Sequence, residues 1–104
     1  MIARLWSATT TADRAAKYTE YLRAHVLPTL RRIDGYIEAM LLERREGHIV
    51  KVTVMTLWRS LDDIRAFAGD DIERAVVADE AAALLTDYDR RVTHANVVLA
   101  DRKK

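Results

Sequence analysis

The chain has 104 residues, half of them apolar and 32% charged, a composition that suits one compact domain and excludes a wholly disordered chain. Seventeen Lys and Arg against sixteen Asp and Glu leave a formal charge of +1, so the balance points to no polyanionic partner such as nucleic acid. Cysteine is absent, which removes disulfides, thiolate nucleophiles, iron–sulfur clusters and cysteine-bound zinc together.

A domain of this length buries roughly 65% of the surface its unfolded chain exposes, so its core is thin. Met1 leads straight into Ile2-Ala3-Arg4-Leu5-Trp6 with no basic region, long apolar core or cleavage site. The apolar runs fall far short of the roughly 20 residues a membrane helix needs. The expectation is a single cytoplasmic domain over residues 1–104, with no membrane contact.

Ile2 to Thr9 is rich in β-formers and reads as a first strand. Ala15, Tyr18, Leu22, Val26, Leu30 and Ile33 then recur every three or four residues, which predicts a helix from about Ala12 to Ile33, closed by Gly35. Pro28 lies inside that pattern and predicts a kink near Ala24, whose carbonyl it cannot bond. Tyr36 to Arg44 and Ile49 to Trp58 read as antiparallel strands joined by a loop at Arg45-Glu46-Gly47-His48.

Ser60, with Asp63 three residues on, caps a second helix that carries Leu61, Ile64, Phe67 and Ala68 and breaks at Gly69. Asp70-Asp71 is expected to cap a short helix through Val77, and Glu80 to Tyr88 to be helical again. Arg91 to Leu99 reads as the fourth strand, before a charged tail.

The order β-α-β-β-α-β predicts an α+β, ferredoxin-like fold whose four-stranded antiparallel sheet carries both helices on one face. Along the third strand Val50, Val52, Val54, Thr56 and Trp58 share one side, and Lys51, Thr53, Met55 and Leu57 the other. Both sides are substantially apolar. A strand apolar on both sides is buried on both sides, so two sheets are expected to pack face to face in a homodimer.

At Leu57-Trp58-Arg59-Ser60-Leu61-Asp62-Asp63-Ile64-Arg65-Ala66-Phe67, with Ala75-Val76-Val77 and Arg91-Val92-Thr93-His94 following, the chain resembles the antibiotic-biosynthesis monooxygenase-like proteins of the dimeric α+β barrel superfamily. Met1 to Trp6, Leu27-Pro28 and Ile33 to Tyr36 extend the resemblance along the whole chain. It implies a dimeric α/β barrel and a cofactor-independent monooxygenase acting on a small aromatic, quinol-like or polyketide-type substrate. Haem-degrading members carry an asparagine, a tryptophan and a histidine ligand where this chain has Ser7, Phe67 and Val77, so the resemblance implies no haem degradation. Members that oxidise tricyclic phenols carry an asparagine and a tyrosine where Val54 and Ile64 stand, and only Trp58 matches.

Oxygenation of that kind needs a flat apolar pocket and donors that hold a developing anion away from water. Trp58 supplies an indole N–H, and His94 titrates in the right range for a general base; these two are the catalytic candidates. Trp6, Tyr36, Asn96, Arg4, Phe67 and His25 are the candidates for substrate binding. Arg4, if it points inward from the first strand with Trp6, would pair a substrate phenolate or a carboxylate across the dimer. The three histidines lack metal-ligand spacing, and the scattered glycines form no nucleotide loop, so neither metal nor cofactor is expected. The expected partners are a second copy of the chain and a small aromatic ligand. A non-catalytic ligand-binding or dimerisation module, and an isomerase on the same scaffold, are the alternatives.

Overall fold

The computed structural model describes residues 1–103. Strands β1 (Ile2–Thr11), β2 (Tyr36–Glu46) and β3 (Ile49–Trp58) form the body of an antiparallel sheet with β1 paired to β3 over its whole length, from Ile2 opposite Trp58 to Thr11 opposite Ile49. The far edge of β1 is shared by two short strands: β4 (Asp87–Tyr88) pairs with Ala8 and Thr9, and β5 (Thr93–Asn96) pairs with Ile2 to Leu5. The predicted fourth strand, Arg91 to Leu99, is thus realised only as β5, and β4 arises from a stretch expected to be helical. The usable part of the predicted strand ends at Asn96 and not at Leu99, because Val98 and Leu99 lie almost fully in solvent.

Helices α1 (Ala12–Tyr21), α2 (Leu27–Arg31) and α3 (Leu61–Ala68) cover one face of the sheet. Their stripes bury Ala15, Tyr18, Leu30, Ile64 and Ala68 against Val50, Val52 and Trp58. At roughly 25 cal/mol per Å² of apolar surface, each fully buried large side chain here contributes on the order of 1.5–3 kcal/mol. The ferredoxin-like arrangement is thus the observed one, with helices on one face only.

Between α1 and α2 the chain runs through a π-helical turn at Leu22–Val26, where the N–H of Leu27 bonds the carbonyl of Leu22 five residues back. The physical cause is Pro28: its ring would collide with the Ala24 carbonyl, and widening the turn by one residue moves that carbonyl aside without ending the helix. The kink expected near Ala24 takes this form.

The hairpin loop is two residues, Gly47 and His48, since the strands run on to Glu46 and Ile49. Gly47 has φ +63 and is the loop's only residue with positive φ, the sign pattern of a type II′ turn. The expected four-residue loop is shorter than predicted for that reason.

The region after α3 differs more. No helix forms from Asp70 to Val77. Asp71 spends its carboxylate on Arg91 at 3.0 Å, and Arg74 bridges to Arg91 with Val92 N–H bonding the Glu73 carbonyl at 2.7 Å, so residues 69–78 are held as a strap with a single turn at Asp71 to Arg74. The helix expected over Glu80 to Tyr88 is one turn, α4 (Asp79–Ala82). Leu85 sinks into the core and Thr86 N–H bonds the Thr9 carbonyl, which draws the chain into the sheet before a second turn can form.

The opposite face of the sheet is open. Leu5, Met55 and Leu57 are half-buried on it, and Met40 and Leu42 are 40% and 51% exposed. No helix of the described residues is long and apolar enough to cross a membrane.

Candidate functional site

A cavity of about 90 Å³ lies between the helix-bearing face of the sheet and the helices that cover it. Arg4 and Trp6 of β1 and Val54 and Thr56 of β3 form its floor, Tyr18, Tyr21, Leu22 and Val26 one wall, Phe67 another, and Val76 to Ala78 of the strap its cover. The alternation of a strand explains the floor: positions 4 and 6, and 54 and 56, face the same way. A second cavity of about 140 Å³ adjoins it below Ala39 and Leu41, sharing Leu22, Val26, Leu30 and Val54. The π-helical turn supplies two of those shared residues, so the interrupted helix forms the partition between the cavities.

Arg4 dominates the electrostatics. Its side chain is 5% exposed, and its guanidinium donates to three neutral acceptors: Nη1 to the Ile72 carbonyl and to His94 Nε2 at 2.9 Å, and Nη2 to the Arg74 carbonyl at 2.9 Å. Among the described residues no carboxylate pairs with it, whereas the exposed arginines 23, 44, 45, 59, 65, 91 and 102 all have one. Withdrawing such an ion from water costs several kcal/mol even after relaxation. Burial pulls its pKa down to about 10, which leaves it charged at neutral pH. The Phe67 ring lies 5.7 Å away and offsets part of that cost.

His94 pairs with Arg4 across β1 and β5. Because a guanidinium can only donate, Nε2 is the acceptor and the ring is neutral with its proton on Nδ1. Burial first, and then the Arg4 charge, hold its pKa below the ordinary histidine value. It does not line the cavity. Its place is behind Arg4, with its basic nitrogen already in use.

Trp58 differs from expectation too. It is fully buried and its indole N–H donates to Thr56 Oγ1 at 2.8 Å, two residues along the same strand face. Thr56 lines the cavity and Trp58 does not. The indole N–H is therefore not free for substrate; it orients the Thr56 hydroxyl, whose own proton remains available. Tyr36 packs edge-on against Trp58 at 5.7 Å outside the cavity, Asn96 is exposed opposite Ile2, and His25 is exposed beside the Tyr21 ring at 5.2 Å.

Trp6 and Phe67 do line the cavity, with Trp6 held by its N–H on the Asp89 carbonyl at 2.8 Å. Tyr18, read from the sequence only as part of the helical stripe, is 3% exposed and borders the cavity. Its hydroxyl bonds no protein group, yet Thr11 Oγ1 is the only fully sealed side-chain oxygen or nitrogen without a partner among the described residues. The Tyr18 hydroxyl is thus not sealed, on a residue that borders the cavity. Burial, and secondarily Tyr21, push its pKa far above the usual phenol range, so it stays a donor.

An antiparallel ferredoxin-like sheet with an apolar cavity beneath its helices, and a few polar groups in that cavity's lining, is the class that fold and site define. No protein-family model matches the chain, and no curated protein matches it. Solved structures do. A protein from Deinococcus radiodurans, provisionally named an antibiotic biosynthesis monooxygenase, is 18% identical over 100% of this chain and 99% of its own, with a TM-score of 0.69. The haem-degrader MhuD of Mycobacterium tuberculosis, solved with two haems in its active site, is 19% identical over 98% and 100%, with a TM-score of 0.62. SnoaB, a cofactor-independent oxygenase from Streptomyces nogalater, is 17% identical over 95% of each chain, with a TM-score of 0.57. The family that the sequence resembles is thus represented among the solved structures that share its fold.

Haem does not fit this cavity. Its lining holds no His, Cys or Met, and burial raises the pKa of both lining tyrosines, Tyr18 and Tyr21, which disfavours the phenolate that binds iron. Among the described residues no cluster of three or more His, Cys, Asp or Glu could hold a metal ion.

Proposed function

We propose that the protein is a cytoplasmic, homodimeric, cofactor-independent monooxygenase acting on a small aromatic or quinol-like compound. The observation that carries this reading is a mostly apolar cavity lined by three buried residues with donor groups, Arg4, Tyr18 and Thr56, and by the half-buried Tyr21. The names of fold neighbours, SnoaB above all, agree with it. In such a reaction an activated ring methylene and one dioxygen give a carbonyl and one water. The substrate must first lose a proton, and the resulting anion transfers its electrons to oxygen.

In this chain Trp6 and Phe67 would supply flat walls, and Arg4 with the two hydroxyls would hold the anionic oxygen in a site with little water. His94 would keep the Arg4 guanidinium in place, and Trp58 would act through Thr56. The cavity size suits one or two fused rings better than a large tricycle.

A second reading, a ligand-binding module without turnover, is favoured by two observations. The cavity is smaller than the roughly 300 Å³ usual for small-molecule sites, and the nearest imidazole has its basic nitrogen occupied. Oxygen uptake separates the two. Metal-stripped protein is given quinols, catechols and naphthols, with the tricyclic anthrones as an oversized comparison and denatured protein as control. Saturable uptake that falls about 100-fold in Arg4→Met is expected of the oxygenase. A ligand that raises the melting temperature with no uptake would leave the binding module, or an isomerase.

A further inference from the structure

Among the described residues Arg4 is a charge without a counter-ion. A cation on a residue only 5% exposed is ordinarily matched by a carboxylate, because neutral acceptors satisfy its hydrogen bonds but not its charge. Here the acceptors are two backbone carbonyls and a neutral imidazole. Those three bonds use both Nη1 protons and one on Nη2. The Nε–H and the second Nη2–H have no protein acceptor, and Nε is not among the sealed atoms.

Arg4 is part of the cavity lining, and its Nε is not sealed off. The rest of the lining near Arg4 is Trp6, Phe67 and the strap valines, which offer apolar area and no negative charge. The missing half of the ion pair is therefore of ligand size and has a flat apolar body.

We propose that the cavity recognises an aromatic compound bearing an anionic oxygen, a carboxylate or a phenolate, which seats on the free Nε–H and Nη2–H of Arg4 with its ring between Trp6 and Phe67. Two donors from one guanidinium match such an oxygen group better than an ammonium would. His94 is a positioning residue in this arrangement: by accepting from Nη1 it leaves the other edge of the guanidinium to the ligand. This proposal deepens the oxygenase reading and rests on the same cavity, but it does not require turnover.

The test is binding of 2-naphthoate, its neutral isostere 2-naphthamide, and 4-nitrophenol, whose visible absorption reports its ionisation. With the wild-type protein, 2-naphthoate is expected to bind at least about tenfold more tightly than 2-naphthamide by calorimetry. In Arg4→Met that preference is expected to vanish, the naphthoate affinity falling by about tenfold more than the naphthamide affinity. Arg4→Lys should keep part of it, since charge survives and the fork does not.

A phenolate spectrum for bound 4-nitrophenol would assign the phenolate as a source of the anion. A neutral spectrum beside a retained naphthoate preference would assign the carboxylate. Equal binding of acid and amide by the wild-type protein, with 4-nitrophenol bound neutral, would overturn the proposal, and that comparison needs no variant to fold. The outcomes separate from those of the oxygenase reading. Anion preference without oxygen uptake sinks only the oxygenase, and uptake with no anion preference sinks only this assignment.

Discussion

At φ +90 Gly35 occupies backbone space that L side chains rarely enter, and a Cβ there would lie 2.2 Å from the Asp63 Cγ. Asp63 cannot simply step aside. Its carboxylate accepts from Ser60 Oγ at 2.8 Å while its own N–H donates back to that hydroxyl at 3.3 Å, the cap that starts α3. Backbone strain of about 1–3 kcal/mol adds to a cap worth about 1 kcal/mol. Gly35→Ala should thus destabilise the protein by roughly 2–4 kcal/mol in urea denaturation; a loss below about 1 kcal/mol would show that the turn relaxes around the methyl group.

His94 makes a second prediction at this scale. It is faced by the Arg4 cation, which opposes its protonation, and more weakly by Glu73, which favours it. Its folded pKa lies below the ordinary value of 6.5, so between the two values the unfolded chain holds the extra proton. Stability from this group is present above 6.5, falls as pH drops through that window, and falls no further below the folded pKa. The melting temperature of the wild-type protein should drop between neutral pH and about pH 5 by more than that of His94→Asn. Equal pH dependence in the two would remove His94 from the account.

At the scale of elements, β3 was legible because period-two alternation of β-branched residues has no helical reading, and its placement against β1 followed. The last third was not. Leu84, Leu85 and Tyr88 have helical spacing, yet Leu85 closes the core and Tyr88 pairs with Ala8, so tertiary burial overrode the local pattern. The site divides similarly. Arg4 and Trp6 face inward together as strand alternation requires, whereas Trp58, the most conspicuous aromatic, lies behind Thr56. Tyr18 passed as core because its stripe position explains its ring. Only its hydroxyl, which a leucine would lack, hinted at a polar destination.

The Trp58 to Thr56 hydrogen bond can be tested as a unit of β3. Trp58→Phe removes the donor and leaves a void in the core, at a cost of about 2–4 kcal/mol. For ligand affinity, Trp58→Phe and Thr56→Val should each weaken binding, and the double variant should bind no more weakly than Thr56→Val, because the indole acts only through the hydroxyl. Additive losses would mean that Trp58 reaches the ligand by another route.

For the whole molecule the unresolved economy is the open sheet face. Helices cover only one side, while Leu5, Met40, Leu42, Met55 and Leu57 lie together on the other, with no helix of the described residues over them. An apolar expanse in the middle of a sheet, and not at its edge, is best satisfied by a second sheet. With two-fold symmetry the same face serves both partners, and β3, central in the sheet, would cross its own copy. Met55 sits midway along β3, so Met55→Lys would bury an unpaired ammonium twice per dimer. Each costs several kcal/mol, and the dimer should weaken by well over 100-fold. Light scattering at micromolar concentration should report a dimer for the wild-type protein and a monomer for Met55→Lys, with helical content unchanged because the core is on the other side. A monomeric wild-type mass would refute the face-to-face arrangement.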